Sequence, residues 1–274
     1  MLTEKEETLL NQAFGKQELK ELTQQQSVKI ASRTNIPLRT VEHFALGKGY
    51  LPRRYRENIG TLGTSGQRRL LENKVIIFGL GGLGGYVLEE LARVGLGQII
   101  GVDPDVVDET NLNRQLLAEE GNLGSKKVNE ANNRLKKVNK AVEFAGHAVP
   151  LDQLPEEAYC DADLAFGCID NIRDRLILAK RCSVENIPLV HGAIAGWYGE
   201  VAVVWPHTGL LEKIYKHQGK SIEQNLGIPS FTAAIAASLM VAAGIRILLG
   251  KSSDKEQNML FFDLLEDEWQ TITL

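Results

Sequence analysis

The stretch that most constrains this chain runs from Lys74 to Gln115, KVIIFGLGGLGGYVLEELARVGLGQIIGVDPDVVDETNLNRQ. A short β-branched run, Val75 to Phe78, leads into Gly79, Gly81, Gly82 and Gly84, and an apolar helical pattern follows from Gly85 to Val94. Glycines here let the backbone turn sharply and approach a phosphate chain, and the N-terminus of the next helix favours negative charge. A tight strand–helix turn without a ligand does not account for so many glycines. A second strand, Gln98 to Val102, ends on Asp103, about 20 residues past the loop, where an acidic side chain accepts hydrogen bonds from ribose hydroxyls. Loop, flanking elements and acid together predict a nucleotide site.

The pattern continues as alternating strands and helices. An amphipathic helix is expected from Ser125 to Lys137, strands at Val142 to Gly146, Ala162 to Cys168 and Pro188 to Val190, and a helix from Asn171 to Glu185. The fold class is therefore α/β: a Rossmann-like, doubly wound sheet, parallel in its N-terminal half. After Gly192 the connections tighten. Glu200 to Trp205, Met259 to Leu265 and Gln270 to Thr273 read as antiparallel strands extending that sheet. Phe231 to Leu249 is an apolar, alanine-rich helix of nearly membrane length, interrupted by Arg246, and reads as a core or dimer-interface helix.

Residues 1–50 form a separate helical N-terminal cap, and 51–274 the nucleotide domain. Within the cap, VKIASRTNIPLRTVEHFAL (Val28 to Leu46) has helix-turn-helix shape, with its turn at Asn35 to Pro37. Its basic residues are only Lys29, Arg33 and Arg39, too few for the phosphate-contacting surface that DNA needs. The formal net charge of −4 likewise argues against nucleic acid or an anionic membrane as partner. MLTEKEETLL carries acidic residues where a signal peptide needs basic ones. Three cysteines, Cys160, Cys168 and Cys182, show no paired spacing, which fits a reducing cytoplasm.

The segment TNLNRQ, Thr110 to Gln115, decides between chemistries, because a nicotinamide dehydrogenase lacks such a polar cluster after its ribose acid. Arg114 forks across phosphate oxygens, Asn111 and Asn113 add neutral donors, and Lys127 opens a helix from which it reaches a triphosphate. Asp170, in CIDN (Cys168 to Asn171), ends the fourth strand and can hold magnesium against phosphates. Arginine, lysine and aspartate around one phosphate chain is phosphoryl or nucleotidyl chemistry.

These motifs, with NLGSKK and IPLVHGAIAGWYGEV, occur in one order, and from Arg54 onward the chain resembles the ThiF/MoeB/HesA family of adenylyltransferases, relatives of the ubiquitin-activating enzymes. The resemblance implies ATP and magnesium as cofactors. It implies adenylation of the C-terminal glycine of a ubiquitin-like β-grasp sulfur carrier, in molybdenum or tungsten cofactor, thiamine or related sulfur metabolism. Gly82 would pack on the nucleotide, Asp103 bind ribose, and Arg114, Lys127 and Asn111 line the triphosphate. Asp170 would coordinate magnesium with Asn171 beside it. The resemblance also implies a homodimer, which the helix near Ala233 to Ala243 could serve.

Two departures matter. The R-Y-x-R-N segment that supplies an inter-subunit arginine in the family reads Arg54-Tyr55-Arg56-Glu57-Asn58 here, with Glu57 at the matching position and Arg56 or Arg53 as the candidate substitute. No cysteine follows Cys182, so the family's tetrathiolate zinc site is ruled out, as is a cysteine nucleophile between Pro206 and Ile228; the reaction is expected to stop at the acyl-adenylate. Cys168 reads as a small buried strand residue, and His191 as a histidine that starts a loop at the sheet's carboxyl edge and is satisfied by backbone hydrogen bonds. Trp197 and Tyr198 either clamp an extended substrate tail or pack on the core. The segment Leu210 to Pro229 reads as a polar loop over the site. Rival readings are an NAD(P)- or FAD-dependent oxidoreductase, an adenylating enzyme acting on tRNA, and a nucleotide-responsive regulator that uses the helical cap.

Overall fold

The computed structural model describes residues 2–14, 21–215, 226–252 and 258–273. Its centre is an eight-stranded sheet in the order β10-β9-β8-β7-β6-β3-β4-β5. Strands β3 (Lys74–Phe78), β4 (Gln98–Val102), β5 (Glu143–His147), β6 (Leu164–Gly167) and β7 (Leu189–Ala195) run parallel. Strands β8 (Tyr198–Val204), β9 (Asn258–Asp263) and β10 (Glu268–Thr273) add to β7 antiparallel. The chain winds outward from β3 in one direction and returns to β6 on its other side. The reversal opens a crevice at the carboxyl ends of β3 and β6, where ligands bind in such sheets.

The inner parallel strands β3, β4, β6 and β7 are buried on both faces, so alternate residues of one strand enter different cores. Val75 and Ile77 pack with helices α5 (Gly82–Val94), α6 (Lys127–Val138) and α9 (Ser230–Leu248). Ile76 and Phe78 pack with α7 (Ile172–Val184) and α8 (Leu210–Ile214). Helix α9 lies across β6, β7 and β8, and so close to β6 that a Cβ on Gly244 would stand 2.5 Å from Phe166. Ala233, Ala236, Ala237 and Ala243 are fully occupied in that packing. The alanine face expected to serve a dimer is therefore the inner face of the protomer's own core. Leu239, Ala242 and Ile245 of α9, with Leu249 just past its end, line a largely apolar groove beside β8 and β9 that Arg246 also borders.

In the N-terminal region, α1 (Glu4–Phe14), α2 (Gln24–Thr34) and α3 (Leu38–Gly47) close around Leu10, Phe14, Ile36, Val41 and Phe44. Asn35 turns the chain between α2 and α3 at φ 56°, as its place before Ile36-Pro37 suggests. The two-residue strands β1 (Glu21–Leu22) and β2 (Leu51–Pro52) pair in parallel. Helix α3 packs on α4 (Ile59–Glu72) instead of facing solvent. Arg39 forks onto Glu143 at 3.0 and 3.1 Å and donates to the Leu71 carbonyl, so the second helix of the pair is turned inward. The fully buried Tyr55 hydroxyl donates to Glu42 at 2.8 Å and accepts from Asn139, locking cap, entry segment and nucleotide domain together.

Candidate active site

The loop after β3 is built by glycines with two separate duties. Gly79 has φ +86°, and its amide donates to the Val102 carbonyl, bending the chain over the end of β4. A Cβ on Gly84 would fall 1.8 Å from the Gly79 carbonyl oxygen, so Gly84 lets α5 seat against the strand end. Gly81 and Gly82 face the crevice, bordered by Gln115 and Arg114. The crevice is a cleft of about 350 Å³.

Asp103 closes one side. It is buried, and its two carboxylate oxygens accept from the amides of Leu80 (2.7 Å) and Asp105 (2.8 Å), each with lone-pair capacity left. Burial raises its pKa, against the opposing pull of Lys127 and the two amides. Lys127, the first residue of α6, is also buried, with Nζ 2.9 Å from Asp105 and 3.9 Å from Asp103. Arg114 is steered by the Thr110 carbonyl (2.8 Å) and Asn113 Oδ1 (2.9 Å). Asp170 and Asn171 follow β6 at the far wall, where Asn171 caps α7 by accepting from the Asp174 amide.

Of the residues expected from sequence, Gly79, Gly81, Gly82, Asp103, Arg114, Lys127, Asp170 and Asn171 line this one cleft. Gly84 lies behind it. Asn111 is buried, and its Oδ1 accepts from the Asp108 amide to cap a short turn. Asn113 donates to the Ile228 carbonyl, tying the loop to the segment before α9. Neither asparagine is among the lining residues. Arg56 points away, bonding Glu21 of the cap at 2.9 Å. Cys168 lines the cleft too, and burial pushes its thiol well above the ordinary range.

The cleft also holds residues that sequence reasoning left unassigned: Asp105, Gln115, Asp174 and Arg175. Arg175 carried a signal, since Asn171, Asp174 and Arg175 stand at i, i+3 and i+4 on one helix face. His191 differs from expectation. It lies inside β7, is 1% exposed, and meets side chains instead of backbone, with Nε2 2.8 Å from the Tyr215 hydroxyl and 3.4 Å from Glu200. The expected polar loop from Leu210 begins as helix α8, with Leu210 and Leu211 wholly buried; residues 216–225 lie outside the described residues. Trp197, in the β7–β8 turn, and Tyr198, the first residue of β8, rest on Phe231 and Phe261. Both are still about two-fifths exposed at the carboxyl edge of the sheet.

Burial lowers the pKa of His191 despite its Glu200 partner. Below the unfolded value of about 6.5, the unfolded chain then takes a proton that the folded chain refuses, and stability falls with pH by up to about 1.4 kcal/mol per unit. The pKa of Glu200 is lowered as well, because its hydrogen bonds outweigh burial, so its own contribution is lost only on further acidification. Urea unfolding at pH 7.5, 6.5 and 5.5 is expected to show this slope in the native protein. His191→Gln should flatten it; an unchanged slope would place the titration elsewhere.

The ThiF family pattern matches residues 55–274. The chain belongs to the ThiF family. This ThiF-family chain is 30% identical over 239 residues to the sulfur carrier protein adenylyltransferase of Thermus thermophilus, covering 83% of this chain and 88% of that one. It is 26% identical over 216 residues to the SAMP-activating enzyme E1 of Haloferax volcanii, covering 77% and 80%. In fold it resembles E. coli MccB solved with ATP, at TM-score 0.68 and 22% identity, over 90% of this chain and 82% of MccB.

Proposed function

We propose that this protein is an ATP-dependent adenylyltransferase that activates the C-terminal glycine of a ubiquitin-like sulfur-carrier protein ending in Gly-Gly. The observation that carries the reading is the convergence of the glycine loop, Asp103, Arg114, Lys127 and Asp170 on one cleft. A dinucleotide oxidoreductase would use the loop and Asp103 equally well but leaves the two cations and Asp170 without a joint role. The relatives named for adenylation of sulfur carriers point the same way.

In this reading Asp103 accepts from the ribose, while Arg114 and Lys127 neutralise the triphosphate and the departing pyrophosphate. The substrate carboxylate is ionised at neutral pH and is itself the nucleophile, so no enzyme base is required. Asp170 would hold magnesium, with Asn171 beside it. The described residues contain no cluster of three or more acidic, histidine or cysteine side chains able to cage a metal. One or two carboxylates fit an ion that takes its remaining oxygens from phosphates and water. Magnesium would supply further charge neutralisation on the phosphates. Trp197, Tyr198 and Phe231 offer the carrier an apolar landing beside the cleft. A cytoplasmic homodimer completes the reading, and the groove beside the outer face of α9 is one surface that could serve it.

ATP–pyrophosphate exchange with magnesium, measured with each small Gly-Gly-ending carrier of the same organism, tests this. Exchange that depends on one carrier, and on Asp170, is expected. ATP binding without exchange would favour another carboxylate or tRNA as substrate, and nicotinamide binding in place of ATP would restore the oxidoreductase reading.

A further inference from the structure

The cations assigned so far stand on one side of the cleft. Along the carboxyl edge the strand order β4-β3-β6-β7 places Asp103 first, then the glycine loop, then Asp170 and Asn171, then Ile194. Two strand spacings separate β4 from β6, roughly 10 Å. A ribose on Asp103 therefore directs the phosphates over the loop toward β6, and the attacking carboxylate must come in beyond them. Asp170 and Asp174 already line that side. A further carboxylate entering there needs a compensating positive charge.

Among the described residues, Arg175 is the cation that lines that wall. It is 5% exposed and lines the cleft. Its Nε donates to the Ile169 carbonyl at 2.9 Å, and Nη1 donates to the Tyr215 hydroxyl at 3.2 Å. The guanidinium also stands 5.6 Å from the centre of the Tyr215 ring. Tyr215 is in turn fully engaged: its hydroxyl donates to Glu200 at 2.6 Å and accepts from His191 Nε2 at 2.8 Å. That assignment needs a neutral His191 carrying its proton on Nε2, in keeping with the lowered pKa. Two strand-anchored groups, His191 on β7 and Glu200 on β8, thus hold one tyrosine, and the tyrosine holds one arginine. A guanidinium fixed this way offers a planar fork at little further ordering cost, the geometry a carboxylate matches.

We propose that Arg175 receives the C-terminal carboxylate of the carrier and aims it at the α-phosphate, and that Tyr215 is the positioning residue that fixes Arg175. The inference rests on the adenylation reading. In the step it serves, a carboxylate oxygen forms a bond to the α-phosphorus. The bond from that phosphorus to the bridging oxygen breaks, and pyrophosphate leaves with the electron pair. No proton moves.

The probes are a synthetic ten-residue peptide ending in Gly-Gly as the free acid, and the same peptide as its C-terminal amide. Binding is measured on the full-length protein saturated with magnesium and a non-hydrolysable ATP analogue. The native protein should bind the acid at least tenfold more tightly than the amide. Arg175→Gln should bind the two alike while its affinity for the ATP analogue stays within twofold. In exchange assays with the active carrier, Tyr215→Phe should raise the KM for carrier and leave the KM for ATP unchanged, which a general structural defect would not do. If Arg175→Gln fails to fold, Arg175→Lys, which keeps charge but not the fork, takes its place and should lose most of the preference.

Retained discrimination in a folded Arg175 variant would overturn the inference, as would a parallel loss of ATP affinity. Failure of the native protein to exchange with any carrier sinks the adenylation reading itself. Normal exchange and an unchanged carrier KM in the Arg175 variants sink only this assignment.

Discussion

Lys127→Met is expected to lower ATP–pyrophosphate exchange by about 100- to 1,000-fold while leaving a folded protein, the loss typical of removing one preorganised group that stabilises transition-state charge. Lys127 is 6% exposed, and its ammonium lies between Asp105 at 2.9 Å and Asp103 at 3.9 Å. The methionine keeps the stem that fills the space and removes only the charge. Two consequences follow at once. The phosphates lose a cation, and Asp103 loses the counter-charge that opposes its burial. Its pKa should then rise further, so the acid limb of the exchange profile should shift to higher pH in the variant. A structural lysine merely satisfying Asp105 would give neither effect. Exchange within threefold of the native rate, with an unmoved acid limb, would assign Lys127 to that structural role and remove it from the phosphate site.

The parts of this site that are legible in sequence are those fixed by local chain geometry. The run from Lys74 to Gln115 carries its own strand, turn, helix and strand, so Gly79, Asp103 and Arg114 are placed with little help from the rest of the molecule. Gln98–Val102 appears as read. Helix α6 starts at Lys127 rather than Ser125 because Lys126 bridges Val106 and the Lys127 amide donates to the Asp105 carbonyl, pairings that hydrophobic periodicity cannot reveal. Strand β7 runs on to Ala195 because β8 folds back on it as far as the Ala195–Tyr198 pair. That extension is what turns His191 from a loop residue into a buried one. Asn111 reads as a phosphate donor by its company, and the fold gives its Oδ1 a separate local duty, accepting from the Asp108 amide to cap its own turn, as is common for asparagine. Arg175 and Tyr215 meet only through the fold, 40 residues apart in the chain, and no spacing rule brings them together.

Gly84→Ala and Gly82→Ala, two substitutions of the same size in the same loop, are expected to fail in opposite ways. At Gly84 the new methyl would stand 1.8 Å from the Gly79 carbonyl oxygen and 2.8 Å from its carbon. Both are backbone atoms, so no side chain can swing aside. Gly79 is itself held in place, its amide donating to the Val102 carbonyl at 2.8 Å. Helix α5 must therefore draw back from the end of β3, uncovering Val87, Leu88 and Leu91, which are fully buried there. A loss of roughly 4 kcal/mol is expected, at the severe end for point substitutions. In a chain of this size that lowers the melting temperature by about 8–16 °C. At Gly82 the methyl would meet Arg114 Cγ at 3.7 Å and Ala233 at 3.8 Å, ordinary contact, in the first turn of a helix. Alanine is favoured over glycine in helices by about 0.5–1 kcal/mol, so this variant should melt at or slightly above the native temperature. Its methyl, however, lies against the stem of Arg114 at the lip of the cleft, where the phosphates are proposed to pass. Thermal melts with and without magnesium-ATP separate the two cases. Gly84→Ala should melt early in both conditions, while Gly82→Ala should melt normally and lose the upward shift that ATP gives the native protein. A Gly82→Ala protein that keeps the full ATP-induced shift would move the phosphates off the glycine loop, and with them the role given to Lys127.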